Sequence, residues 1–160
     1  RLPNATEFYI DKNEFGFRSD DDDDCPYPDS ISPQKLNVPG VTELASGVTL
    51  QAELIDRPKI LNTKNQHVTY AAPDLFANNL NLRSRIDGDR FQPLGMKSQV
   101  KLQDFFVDCA VPKRWRNRVP IIDSKKGILW IVGYRLADWA KVLPEHETVI
   151  RFDFTGSKER

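Results

Sequence analysis

The chain is expected to fold as an α+β domain, with an antiparallel β core and two short helices. Three observations predict this. Apolar residues alternate with polar ones over several short windows, one window switches to the helical period, and turn residues recur between them. With 160 residues, 39% apolar content and nine Phe, the chain can bury one ordinary core. No apolar run approaches the roughly 20 residues of a membrane span.

Each element rests on its own pattern. Phe8 to Phe17 alternates loosely around Asp11-Lys12-Asn13-Glu14 and reads as a small hairpin or an extended strand. SDDDDDCPYPDSISP follows, in which five consecutive Asp repel one another and three Pro break any regular element. This stretch is expected to be a solvated, disordered linker, so residues 1–35 form an N-terminal appendage and residues 36–160 the domain proper. Val38-Pro39-Gly40 marks a turn, Val48, Leu50, Ala52 and Leu54 share one side of a strand, and Val68-Thr69-Tyr70 begins another. Leu80 and Leu82 alternate with Arg83 and Arg85, so that strand buries leucines and presents arginines opposite, until Gly88 breaks it.

From Val100 to Cys109 the period changes. Leu102, Phe105, Phe106 and Cys109 fall at the i, i+3, i+4, i+7 positions of one helical stripe. Pro112 suits the first position of a second short helix that must end before Pro120. Ile121-Ile122 and Ile128 to Tyr134 read as buried strands joined through Gly127, and Thr148 to Phe154 alternates Ile150, Phe152 and Phe154 with Arg151 and Asp153.

The formal net charge of zero conceals opposed regions. Arg1 to Ser30 carries net minus six, Ile31 to Leu75 zero, Phe76 to Arg135 plus seven and the remainder minus one. Arg83 to Arg135 alone holds twelve Lys or Arg against five Asp. Its cations are interleaved with aromatic and apolar anchors, the composition of a folded surface that meets a polyanion. The candidate contacts are Arg83 and Arg85 on a strand, Arg90 beside Phe91, Lys97 and Lys101 at a helix start, and Lys113, Arg114, Arg116 and Arg118 after Pro112. Lys97 and Lys101 oppose the macrodipole there, a local cost that a bound phosphate relieves. Trp115, inside KRWRNR, is the candidate to stack on a base or ribose; Phe105, Phe106 and Trp130 are assigned to the core, and Phe91 is left open. The Asp20 to Asp24 run could fold back on the basic face as a polyanion mimic, although a plain linker is favoured.

Catalytic constellations are sparse. The eight glycines are scattered, with no GxxxxGK or GxGxxG loop, and His67 and His146 have no sequence-local nucleophile or carboxylate partner. Asp87 and Asp89 flank Gly88 and read as a turn whose carboxylates accept backbone or arginine hydrogen bonds; the rival reading is a metal-holding pair. Cys25 and Cys109 have no CxxC partner, so metal ligation is not expected and a reduced, cytoplasmic setting is. Arg1 to Asp20 lacks the apolar region of a signal peptide, and the lack of an initial Met suggests a fragment. The Asn4-Ala5-Thr6 sequon is read as a chance match.

GDRFQPLGMK, KLQDFF, VP, RVP and ILWIVGYR, in that order, resemble the C-terminal domain of bacterial tRNA(Ile)-lysidine synthetase, from about Leu82 to Arg151. The resemblance implies an α+β fold with a β-sandwich-like core, similar to that domain and to one in the phenylalanyl-tRNA synthetase β chain. It implies the tRNA-gripping end of an enzyme that uses ATP to join lysine to the wobble cytidine of an isoleucine tRNA. The basic positions it carries over are Arg83, Arg85, Arg90, Lys97, Lys101, Arg116 and Arg118. The family's Ser-Gly-Gly-x-Asp-Ser loop for ATP has no match, so no catalytic residue, metal or cofactor is expected in this chain, with ATP and Mg belonging to the catalytic domain. Ser98-Gln99 departs from the Gly-Ser that many relatives have, and Cys109 stands where a charged or polar residue is common. The expected partners are tRNA(Ile) and the catalytic domain of the same protein, with a homodimer left open and no membrane. Two rival functions remain: a module docking onto an acidic surface of the catalytic half or of a second subunit, and a standalone metal-dependent hydrolase using Asp87 and Asp89.

Overall fold

The computed structural model describes residues 24–45, 47–62, 64–77 and 79–156, with backbone alone at 76–77, and the backbone of residues 7–11 and 14–18. The sequon and Asp20 to Asp23 lie outside the described residues. In chain order the strands are β1 (Glu7–Asp11), β2 (Glu14–Arg18), β3 (Gln34–Lys35), β4 (Gly40–Ala45), β5 (Val48–Asp56), β6 (Val68–Ala71), β7 (Asn81–Arg83), β8 (Arg90–Phe91), β9 (Val100–Lys101), β10 (Ile121–Ser124), β11 (Gly127–Ile131), β12 (Arg135–Leu136) and β13 (Thr148–Thr155). A single α-helix among the described residues, α1 (Leu102–Asp108), follows β9 directly.

β1 and β2 pair antiparallel with Asp11 opposite Glu14, the hairpin of the two alternatives that the alternation leaves open. The remaining strands form a five-stranded sheet in the order β12-β11-β10-β7-β3, a four-stranded sheet in the order β4-β5-β13-β6, and the small β8-β9 ribbon. All the pairings are antiparallel. The two larger sheets contribute to one core, in which Trp130 of β11 stacks on Phe152 of β13 at 6.1 Å between ring centroids. Alternation decides which residues enter it: Ile150, Phe152 and Phe154 are buried along β13, as are Val48, Leu50 and Ala52 along β5. Leu54 continues that side of β5 but lies at the sheet's end, 44% exposed.

Three expectations change. The helical stripe buries Leu102, Phe105 and Phe106, but Cys109 follows the helix at its C-cap and is exposed. The segment after Pro112 makes only a 3-10 turn, Lys113–Trp115. Its backbone N–H groups reach back three residues, Arg116 to Lys113 and Arg118 to Trp115, and the cationic run offers no apolar stripe to hold a longer helix on the core. The expected linker packs from Cys25 onward: Cys25, Tyr27 and Ile31 are buried, with Tyr27 Oη donating to the Val132 carbonyl at 2.7 Å. Gly133 is required for that seat, since at φ 86° its backbone is left-handed and a Cβ would collide with Tyr27 Oη. Packing therefore begins upstream of the expected boundary at residue 36.

Candidate nucleic-acid interface

The β8-β9 ribbon and α1 build the site. Phe91 is buried and meets Phe105 edge to face at 4.9 Å, and Leu102 is buried in the first turn of α1. Each neighbours a cation that alternation turns outward: Arg90 before Phe91, and Lys101 before Leu102. Arg90 and Lys101 are register partners across the ribbon, both exposed. Like charges placed directly opposite destabilise a strand pair, and neither side chain forms an ion pair among the described residues. Arg85 and Gln103 join them around a cavity of about 170 Å³. Arg85 is held there by Nε donating to Asn117 Oδ1 at 2.7 Å.

The wall of this cavity is the turn Ile86 to Asp89, fixed by Arg83. Arg83 donates from Nη1 and Nη2 to the two oxygens of Asp89, at 2.8 and 3.0 Å, and from Nε to Asp123 Oδ2 at 2.6 Å. Asp89 Oδ2 also accepts the Ile86 N–H at 2.8 Å, and the Asp89 carbonyl accepts the Leu102 N–H at 2.9 Å. Burial alone would pull the Arg83 guanidinium down, but its bonds to Asp89 and Asp123 outweigh that and hold it above the ordinary arginine value. Asp89 thus behaves as the turn carboxylate expected from the sequence, with its oxygens turned to arginine and backbone. Asp87 stands exposed on the cavity rim. Among the described residues, no group of three or more His, Cys, Asp or Glu is placed to hold a metal.

The ten predicted contact residues divide by how the fold uses them. Arg85, Arg90 and Lys101 converge on the cavity. Lys97 is exposed after the Gly95 turn, and Lys113 is exposed at the 3-10 turn. Arg83 is 15% exposed and engaged by two carboxylates. Arg116 Nε donates to the Val111 carbonyl at 3.1 Å. Arg118, 13% exposed, donates to the carbonyls of Tyr27 and Pro28 at 2.7 and 3.0 Å and pairs with Asp29 at 3.1 Å. Arg114 pairs with Asp24, the last residue of the acidic run, at 3.0 Å. Arg83, Arg114 and Arg118 thus fasten distant segments to one another, whereas Arg116 braces its own loop five residues back. Gln103 and Asn117 belong to the site without being marked as such by the sequence; both sit one or two positions from a named cation, a weak signal by itself.

Trp115 is half-buried and packs against the core cluster, with its indole Nε1 buried and making no hydrogen bond among the described residues. An unsatisfied buried N–H costs about 1–3 kcal/mol. Trp115→Phe removes that cost while losing ring volume, so unfolding in urea should shift by less than about 1 kcal/mol. A loss of about 2 kcal/mol or more would show that the ring is held by something else. Phe91, Phe105, Phe106 and Trp130 are all core residues.

Comparison with known proteins agrees with this architecture. Residues 80–152 match the family model described as "TilS substrate C-terminal domain". The tRNA(Ile)-lysidine synthase of Dehalococcoides mccartyi (strain CBDB1) is 35% identical over 154 residues, which are 96% of this chain and 32% of that protein. The enzyme of the same name from Caldanaerobacter subterraneus subsp. tengcongensis is 32% identical over 121 residues, 75% of this chain and 26% of that protein. The chain thus spans about a third or less of the curated relatives it matches. A crystal structure described as that of a TilS C-terminal domain superposes with a TM-score of 0.66 at 21% identity, covering 80% of this chain and 100% of that one, and shares the fold.

Proposed function

We propose that this chain, which over residues 80–152 belongs to the TilS substrate C-terminal domain family, is the tRNA-gripping portion of a tRNA(Ile)-lysidine synthase. The observation that carries the reading is the cavity where Arg85, Arg90 and Lys101 meet. Two of its cations oppose each other at register positions and form no ion pair among the described residues, and the cavity's three cations outnumber the carboxylates of Asp87 and Asp89, an arrangement that an anion from outside stabilises. The ligand is a ribose–phosphate chain. A-form RNA has a major groove too deep and narrow for side chains, so recognition here runs through phosphates and shape, with base readout secondary. Lys97 and Lys113 extend the grip, while Arg83, Arg114, Arg116 and Arg118 hold the surface in place. In this reading the ATP-dependent joining of lysine to the wobble cytidine, with its ATP and Mg, belongs to a catalytic domain of the same protein, and the partners of this chain are that domain and tRNA(Ile).

Filter binding of the chain to a tRNA(Ile) transcript across a salt series tests it. Engagement of about five phosphates gives a slope of log K against log salt of roughly −3.5 to −4.5. Binding that ignores salt would defeat the reading. No binding at all would favour docking of the basic face onto an acidic protein surface.

A further inference from the structure

A second, larger cavity of about 490 Å³ opens where the two main sheets end side by side, between β6 at one edge of the four-stranded sheet and β12 at one edge of the five-stranded sheet. Its chemistry differs from that of the cationic cavity. Asn62, Asn65 and Gln66 bring three carboxamides from the connection before β6, Tyr134 and Leu94 supply apolar walls, and Arg135 stands at the rim. Trp130 closes the floor at 2% exposure, so it seals the cavity and is not itself a stacking face. No carboxylate lines it among the described residues.

We propose that this cavity receives one unpaired nucleobase of the bound RNA, with the carboxamides reading its edge and Arg135 taking its phosphate. A carboxamide offers both an N–H donor and a carbonyl acceptor without charge, the complement of a base edge. A neutral, planar ring with mixed donors and acceptors fits amides over an apolar wall, whereas a bare phosphate would want the cations that cluster at the other cavity. Asn65 Oδ1 accepts the His67 N–H at 2.9 Å, which shapes the connection. Asn62 and Gln66 are exposed, and their side chains make no hydrogen bond among the described residues. The two cavities are also close. Arg90 lines the first and Leu94 the second, four residues apart and so separated by at most about 14 Å of chain. The Leu94 N–H is fixed to the Leu136 carbonyl at 2.9 Å, joining the ribbon's exit to the second cavity. A strand of RNA held by Arg90 and Lys101 can therefore place a neighbouring base at Asn62 and Gln66.

This inference rests on the reading of the chain as an RNA binder, and the test separates the two. The double variant Asn62→Ala/Gln66→Ala changes exposed residues and removes no charge. Its affinity for a tRNA(Ile) transcript should fall on the order of tenfold, as expected when one base is no longer held, while the salt slope stays as in the native chain. In parallel, adenosine and cytidine 5′-monophosphates at millimolar concentration should shift the side-chain amide resonances of Asn62 and Gln66, and inorganic phosphate should not. Unchanged tRNA affinity in the double variant overturns the proposal and leaves the cavity to a peptide segment, with the salt slope still supporting RNA binding at the cationic site. If the native chain binds no tRNA, the broader reading fails, and the nucleotide titration decides the pocket alone: no amide shifts would end it.

Discussion

Arg83→Ala should lower the unfolding free energy by about 2–4 kcal/mol, measured by urea denaturation, a larger effect than that of any other single cation in the basic segment. The reason is the number and burial of its partners. Arg83, Asp89 and Asp123 are 15%, 14% and 20% exposed, and the guanidinium makes three bonds to the two carboxylates. Removing it strands two poorly hydrated negative charges close together, the situation in which breaking a buried pair costs most. The same change frees the Ile86 to Asp89 turn, which Asp89 closes through the Ile86 N–H. Arg83→Lys is expected to recover only part of the stability, because a point-charge ammonium cannot span Asp89 with a fork and reach Asp123 as well. Native stability in Arg83→Ala together with weakened tRNA binding would move Arg83 from the scaffold to the contact surface.

The opposite pattern is expected when Arg85, Arg90 and Lys101 are all changed to Gln. Folding should be nearly unaffected: relief of the Arg90–Lys101 repulsion, worth about 0.2–1 kcal/mol, offsets removal of the Arg85 bond to Asn117. Affinity for the tRNA(Ile) transcript should fall on the order of 100-fold at about 0.1 M salt, or about 1 kcal/mol for each phosphate no longer gripped. Thermal unfolding of the same preparation guards against a trivial explanation. A triple variant that folds normally and binds as tightly as the native chain would remove the cavity from the interface.

Much of this fold is legible in the sequence because its long strands obey one rule. β13 and β5 alternate over enough residues for the buried side to be read directly, and Leu102, Phe105 and Phe106 mark α1 in the same way. A second helix is easily overread because Pro112 carries a helix-start signal while the residues after it lack an apolar face. Strands of two residues, such as β8 and β9, leave no period to detect, yet they set the register that brings Arg90 opposite Lys101. The site is legible as a basic segment and not as a geometry. Nothing local shows that Arg118 will be held by carbonyls 90 and 91 residues away, or that Arg83 will meet Asp123 across 40. The same long-range bonds explain the linker: Cys25, Tyr27 and Ile31 look isolated among prolines and acids until Arg118 and Val132 give their segment a place to dock.

The central claim, that three cations from separate segments hold one ribose–phosphate chain, is tested most directly by comparing salt dependence between the native chain and Arg85→Gln/Arg90→Gln/Lys101→Gln on one tRNA(Ile) transcript. With three fewer phosphates neutralised, the slope of log K against log salt should flatten by roughly 2 to 2.7. An unaltered slope in a folded triple variant would contradict the account, because counterions would then be displaced somewhere else on the molecule.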